Sequence, residues 1–317
     1  MDVVTIGETM VLFTPESSPM LRYSHSFSRK FGGAETNVAI GLTRLGHRAG
    51  WISRIGNDEF GKALISFVRG EGIDVSQVKI DKTAPTGLYF KEVRSGDQVK
   101  VQYYRKGSAA SMLSPEDLDE RYIAKAKYLH ITGITPALSE SCYQSILKAV
   151  SFAKNNGVQV VFDPNLRKKL WSEEEARKVL IELSGLADIL LPGVDEGSFM
   201  FGENNPIKLG EKFLQLGPEL VIIKVGAKGA YYFTDEGYGL VPGFPLKTVI
   251  DPVGAGDGFA AGIISGLLDG VPIEKVVERG NGMGALATQV PGDFEGLADR
   301  NELESFMNRS TREDIDR

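Results

Sequence analysis

Residues 251–263 read DPVGAGDGFAAGI, with four glycines crowded around the acidic Asp257 where an apolar helical run begins. Glycine inside a helix costs roughly 0.5–1 kcal/mol against alanine, so this cluster marks a place where small size is needed. Pro252 cannot continue a helix from behind it. Gly254-Ala255-Gly256-Asp257 then forms the loop into a helix predicted over 256–269. The first N–H groups of a helix have no internal partners and carry a partial positive charge. Surrounded by small residues, the N–H groups of Gly254, Ala255, Gly256 and Asp257 make an anion hole suited to a transferring phosphoryl group. Asp257 would repel a static phosphate placed directly on it. Its position makes sense if it faces a hydroxyl and accepts that proton during attack, or if it simply caps the helix, which aspartate does well.

Outward from this stretch, short apolar runs alternate with longer amphipathic ones. Residues 3–6, 49–55, 128–132, 158–163, 188–191 and 219–225 read as strands. Several are apolar throughout, as in a parallel sheet covered on both faces. Helices are predicted over 35–46, 59–71, 139–156, 173–184, 206–216, 272–290 and 300–308. The alternation implies βαβ units, an α/β fold with a doubly wound sheet flanked by helices. One region departs from it. Residues 83–112 hold two strand-like runs around Arg94-Ser95-Gly96-Asp97, which reads as a hairpin turn. Val99, Val101, Tyr103 and Arg105 share one strand face, apolar at one end and closed by an aromatic and a cation. Such an inserted sheet would be a lid over a ligand cleft or a solvated surface hairpin. Residues 1–308 read as one domain, and 309–317 as a charged C-terminal tail.

Composition narrows the function. The 317 residues include 42 acidic and 36 basic ones, a net charge of −6. A nucleic-acid binder would show a basic footprint instead. The lone Cys142 excludes an intrachain disulfide. The N-terminus has no basic, apolar leader and no run of residues is apolar enough to span a bilayer, so a cytoplasmic protein is expected. Familiar nucleotide motifs nearly occur and fail. Gly56 to Ala63 imitates a Walker A loop but lacks the closing hydroxyl, and reads as a turn into a helix. No GxGxxG follows the first strand, which disfavours a dehydrogenase. His25, His47 and His130 are scattered, without zinc-ligand spacing. His130 lies in an apolar strand and is expected to be a satisfied core residue.

Other candidates sit at strand ends, where open α/β sheets bind ligands. Asp163-Pro164-Asn165-Leu166-Arg167 offers Arg167, whose planar fork suits a carboxylate or phosphate, the alternative being a merely solvated arginine. Lys224-Val225-Gly226-Ala227-Lys228-Gly229 follows another strand and would pass under a nucleotide or form a plain turn. Gly32-Gly33-Ala34-Glu35-Thr36-Asn37 opens a helix; Asn37 could hydrogen-bond a polyol, or Glu35 could simply favour the helix dipole.

Together these segments resemble the ribokinase-like (PfkB-type) carbohydrate kinases. The likeness covers about residues 1–308 and rests on the Gly-Gly pair at 32–33 and on DPVGAGDGFAAG at 251–262. Within the family, GGAETN (32–37), YYRKGSAAS (103–111) and FDPNLRKKLW (162–171) resemble the kinases of 2-keto-3-deoxygluconate. The resemblance implies a ribokinase-like sheet with a small β-sheet lid supplied mainly by 83–112, and Asp257 as the base. It implies Gly254 to Asp257 as the phosphate cradle. Lys224, Gly226, Lys228 and Gly229 would line the ATP site, with Asn165, Arg167 and Asn281 nearby. Gly33, Asn37, Tyr89, Tyr103, Arg105 and Arg167 would face the substrate. ATP with Mg²⁺ is implied, since phosphoryl transfer rests on positioning and charge neutralisation; dependence on a monovalent cation is left open. The family's Asn-x-x-Glu motif here reads Gly193-Val194-Asp195-Glu196, so Glu196 alone remains for an indirect hold on the metal.

A desolvated substrate carboxylate needs a paired cation. Arg105 on the lid and Arg167 at the sheet edge supply two, which a neutral hexose would not require. The expected reaction is therefore ATP-dependent phosphorylation of the C6 hydroxyl of 2-keto-3-deoxygluconate. A fructokinase or other sugar kinase of the family is the near alternative, and a catalytically silent sugar or nucleotide sensor the distant one. The lid sheet is the expected contact of a homo-oligomer.

Overall fold

The same strands face two helical layers, and the reason is the two-residue period of side chains along a strand. The computed structural model describes the backbone of residues 1–93 and 99–315, and the side chains of those residues except 93, 99 and 309–315. The strands are β1 (Val3–Ile6), β2 (Met10–Pro15), β3 (Phe27–Gly32), β4 (Ala49–Gly56), β5 (Val78–Asp81), β6 (Leu88–Val93), β7 (Val99–Tyr104), β8 (Tyr128–Thr132), β9 (Gln159–Asp163), β10 (Ile189–Leu190), β11 (Leu220–Lys224), β12 (Ala230–Thr234) and β13 (Gly237–Val241). Nine of them form one sheet in the order β13-β12-β11-β10-β9-β8-β1-β4-β5. It is parallel from β11 through β5 and antiparallel at β12 and β13. β8 is buried at every position, as a strand covered on both faces must be.

The helices are α1 (Ala34–Arg44), α2 (Glu59–Gly70), α3 (Glu120–Ile123), α4 (Glu140–Asn155), α5 (Glu173–Leu186), α6 (Val194–Phe201), α7 (Pro206–Leu214), α8 (Ala255–Leu268), α9 (Ile273–Ala287) and α10 (Arg300–Ile315). Val3, Val161 and Ile222 pack toward α1, α8 and α9, with Val38, Ile263 and Val277 among their partners. Their neighbours Val4, Val160, Val221 and Ile223 pack on the opposite face with Ile146 of α4, Leu180 of α5 and Phe213 of α7. Caps fix the helix starts. Asp58 accepts the Gly61 N–H at 2.8 Å at the head of α2, which makes the Walker-like segment a turn and helix start. Ser172 and Glu175 form a capping box on α5. The later glycines of α8 have their reason in α9: a Cβ on Gly262 would lie 2.6 Å from the Arg279 carbonyl oxygen.

A second sheet has the order β3-β2-β6-β7. β6 and β7 come from the expected 83–112 region, although its turn at Arg94-Ser95-Gly96-Asp97 lies outside the described residues. β2 and β3 come from 10–32, which the sequence reading did not mark as strands. β3 reads FSRKFG and buries only its last two residues, so it lacks the continuous apolar run of a central strand. At the other end of the chain, α10 runs on to Ile315, past the predicted end at 308 and through most of the charged tail.

Candidate active site

The loop into α8 turns at Gly254, which caps the helix with φ 84°, in the left-handed region that favours glycine. A Cβ there would also collide with the Asp293 carbonyl oxygen. Gly254 being the cap, Asp257 is the third residue of α8 and does not cap it. Its Oδ2 accepts a 2.8 Å hydrogen bond from Nδ2 of Asn37 in the first turn of α1. Burial pushes the Asp257 carboxyl up, to about 7; the charges of Asp163 and Glu35 act in the same direction, while the Asn37 amide and Arg167 oppose it. Of the predicted anion-hole donors, the Ala255 N–H turns back to the Pro252 carbonyl at 3.4 Å, whereas those of Gly256 and Asp257 have no backbone partner among the described residues. A carboxylate poised near neutrality beside them is suited to accept a proton next to a developing negative charge.

Asp257 lies in a cavity of about 680 Å³ between the two sheets. The body of the protein lines it with Gly33, Asn37, Asn165, Arg167, Gly254 and Gly256, and the lid with Tyr89, Val101, Tyr103 and Arg105. The two arginines differ in setting. Arg167 is exposed. Arg105 is 8% exposed, and its Nε donates to Oε2 of the fully covered Glu8 at 2.7 Å, while Ser108 donates to the other carboxylate oxygen. Its guanidinium stands 5.5 Å from the centre of the Tyr103 ring. Arg105 therefore arrives already paired, oriented by Glu8. Tyr89 is likewise engaged, its hydroxyl donating to Oδ2 of Asp293 at 2.5 Å.

The floor is built at the ends of β9 and β11. Lys224 Nζ bridges both oxygens of Asp163 at 3.0 and 2.9 Å. Burial alone would lower the Lys224 ammonium, but Asp163 and Glu196 outweigh it and hold it above its usual range. Asn165 adopts φ 38°, rare outside glycine but tolerated by asparagine, and its N–H bonds Asp163 Oδ1 at 3.2 Å. Glu196 accepts the N–H groups of Leu166 at 2.9 Å and Gly193 at 2.7 Å, and burial raises its carboxyl. Lys224 and Glu196 also border a second cavity of about 680 Å³ that contains Gly226 and Lys228. Gly229, Ala255 and Asn281 line neither cavity. The Asn281 amide instead donates to the carbonyls of Val241 and Pro242 at 3.1 Å each.

Among the described residues no group of three or more His, Cys, Asp or Glu side chains could hold a metal. Asp163 is engaged by Lys224, and Glu196 by two backbone donors. This donor set fits Mg²⁺ carried on substrate phosphates, with water filling its shell, rather than an all-protein cage. His130 is a core residue with 0% exposure, but it is not satisfied: neither ring nitrogen has a hydrogen-bond partner among the described residues, and burial lowers its pKa to about 4. The sequence reading passed over Glu8, Asp163, Lys91, Asp251 and Asp293 as site residues. Lys91 carried a readable signal, a cation two residues beyond Tyr89 on the same strand face.

A helix start with free N–H groups, a carboxylate of raised pKa and a cation-floored double cavity under a lid match what phosphoryl transfer to a hydroxyl requires. The chain belongs to the pfkB family of carbohydrate kinases, whose model matches residues 1–300. The 2-dehydro-3-deoxygluconokinase of Bacillus subtilis (strain 168) is 43% identical over 310 residues, covering 97% of this chain and 95% of the relative. A solved structure described as a putative ribokinase II from E. coli in complex with ATP and Mg²⁺ aligns with a TM-score of 0.89 and 29% identity, covering 97% of this chain and 99% of the other. A fructokinase double mutant from Vibrio cholerae O395, with fructose, ADP and potassium ion bound, aligns with a TM-score of 0.86 and 28% identity, covering 97% and 98%.

Proposed function

We propose that this kinase transfers the γ-phosphoryl group of ATP to the C6 hydroxyl of 2-keto-3-deoxygluconate (2-dehydro-3-deoxygluconate), giving the 6-phosphate and ADP. The observation that carries the reading is the pairing of Asp257 with an anion hole inside a cavity bearing two guanidinium groups. The 43% identity to a 2-dehydro-3-deoxygluconokinase supports the choice of substrate. The substrate carboxylate would lie against Arg105 and Arg167, with Tyr89, Tyr103, Gly33 and Asn37 around the sugar chain. Asp257 takes the proton of the C6 hydroxyl as its oxygen attacks the γ-phosphorus. The bond from that phosphorus to the β–γ bridging oxygen breaks, and ADP leaves. N–H groups at the start of α8 receive the charge that gathers on the transferring oxygens. Lys224, Gly226, Lys228 and Gly229 would accompany the nucleotide, with Asn165 and Asn281 nearby. Mg²⁺ bound to the phosphates would supply charge neutralisation, with Glu196 acting on it indirectly through the 165–166 and 193 backbone.

Fructokinase is the competing reading, favoured by the fructose-bound neighbour. Arg167 weighs against it: Arg105 already has its counter-charge in Glu8, but Arg167 has no ion pair among the described residues, and a neutral sugar would leave it without one in the occupied site. ADP release should be followed with Mg-ATP and 2-keto-3-deoxygluconate, fructose, ribose or adenosine. The keto-acid is expected to have the highest kcat/KM; a preference for fructose would remove the carboxylate argument. Arg105→Ala is a poor probe, because it strands the buried Glu8 carboxylate and costs about 3–5 kcal/mol of stability. Arg167→Ala avoids that loss and is expected to raise KM for the keto-acid by about tenfold or more. We further propose that copies associate through the outer face of the lid sheet.

A further inference from the structure

Lys91 lies on the lid strand β6, yet it is only 3% exposed. Its ammonium reaches across to the body of the protein, where it donates to Oδ2 of Asp251 at 2.6 Å and to Oδ1 of Asp293 at 3.2 Å. Both carboxylates are themselves buried. Each is tied to the backbone that shapes the anion hole. Asp251 accepts the N–H of Val253 at 3.1 Å through one oxygen and that of Gly292 at 3.1 Å through the other. Asp293 packs its carbonyl against Gly254, the turning residue of the loop. The cluster thus holds two buried negative charges and one positive charge directly beside Gly254, and Lys91 borders the same cavity as Gly254 and Gly256.

Consider those two carboxylates without the ammonium. Two buried negative charges would repel each other and oppose an incoming phosphate, and the loop hung on them would lose its anchor. A compact monovalent cation held between the two sets of oxygens would cure both faults. This chain already holds one there, on a covalent tether. We propose that the Lys91 ammonium is a built-in monovalent cation that positions the 251–256 loop and neutralises its aspartates, so that the enzyme turns over without potassium. A potassium ion does not fit at this carboxylate pair, because the ammonium fills the space between them. Lys91 is a positioning residue: it acts through Asp251 and Asp293 and touches no reacting atom. The inference rests on the reading of 251–257 as the phosphoryl-transfer loop.

The test compares wild type, Lys91→Ala and Lys91→Met with Mg-ATP and 2-keto-3-deoxygluconate. Chloride salts of choline, potassium or ammonium are titrated at constant ionic strength. Wild-type kcat is expected to change by less than about twofold among the three salts. Lys91→Ala is expected to lose about 10²-fold in choline, the size of effect seen when a charge-stabilising group is removed. It should recover about tenfold or more, saturably, in ammonium or potassium, whose ions can enter the vacated space. Lys91→Met, which fills that space without charge, should fall equally and recover in neither. An ion-specific recovery is a response that a purely structural loss would not produce.

A wild type that is silent in choline and switched on by potassium overturns the proposal whatever the variants do. So does a Lys91→Ala enzyme that responds alike to all three salts. If Lys91→Ala does not fold, the Lys91→Ala/Asp293→Asn pair removes one of the two stranded charges, and its melting temperature should rise with ammonium more than with choline; no difference overturns the proposal. A wild type inactive in every salt would instead count against the kinase substrate itself, which keeps the two failures apart.

Discussion

Asp257 shows how one residue acquires its chemistry from its surroundings. Partial enclosure by the lid and body raises its carboxyl to about 7, and the Asn37 amide fixes the orientation of one oxygen. As a base it must be ionised, so kcat/KM is expected to rise with pH through about 7 and level off above it. Asp257→Asn should lower kcat by about 10²–10⁴-fold while the protein still binds nucleotide. The same shift has a thermodynamic sign. A carboxyl whose folded pKa lies above its unfolded value favours folding fully below the unfolded pKa, and that contribution is lost as pH rises through the folded one. Asp257→Asn should therefore be more stable than wild type at about pH 8, the gap narrowing toward about pH 5. Thermal melts of the two proteins across that range would read it; a pH-independent gap would contradict the raised pKa.

At the level of the element, the start of α8 depends on Gly254 having no side chain. A non-glycine residue in the left-handed region costs about 1–2 kcal/mol, and here its Cβ would also strike the Asp293 carbonyl. Gly254→Ala is expected to destabilise the protein by about 2 kcal/mol or more in denaturant unfolding. Because the N–H groups shift with the turn, kcat should fall further than KM for the sugar rises. An alanine variant of wild-type stability and rate would mean that the loop tolerates a different turn and that the cradle is not set by this residue. α1 answers α8 from the other side of the cavity. Its first turn carries Asn37, while Glu35, expected to serve the helix dipole, is buried with its carboxyl accepting from Thr132 at 2.6 Å and Thr135 at 3.0 Å, and burial raises its pKa.

Over the whole molecule, the two sheets divide the work. The nine-stranded sheet carries the floor of the site, and the four-stranded sheet closes over it. The face of the lid away from the cavity is aromatic: Phe27 is 36% and Tyr104 is 55% exposed, and Phe90 lies between them with ring centres 5.7 and 5.8 Å away. The proposed association of copies would rest on this exposed apolar patch. Sedimentation is expected to show a dimer or larger assembly, which Tyr104→Lys should shift toward monomer with the active-site residues unaltered. A wild-type monomer at all concentrations would exclude this contact. No helix among the described residues is long and apolar enough to cross a membrane.

The central strands and their helices were legible in the residues because each is long, apolar and periodic: the predicted strands at 3–6, 49–55 and 128–132 coincide with β1, β4 and β8 to within a residue. Local chemistry also identified the α8 loop, since glycine, proline and aspartate have few other uses in that order. β2 and β3 were not legible, because a strand with one wet face carries only a weak alternation and its partners lie far along the chain. The pairing of charges was not legible either. Glu8 meets Arg105 across 97 residues, and Lys91 meets Asp251 across 160. Local sequence dictates which backbone groups and side chains are available, since propensity, capping and periodicity act over a few residues. Only the tertiary structure decides which charges are buried together, because burial and Coulomb interaction depend on distance in space, and these settle which arginine is already paired and which lysine stands behind the phosphate loop.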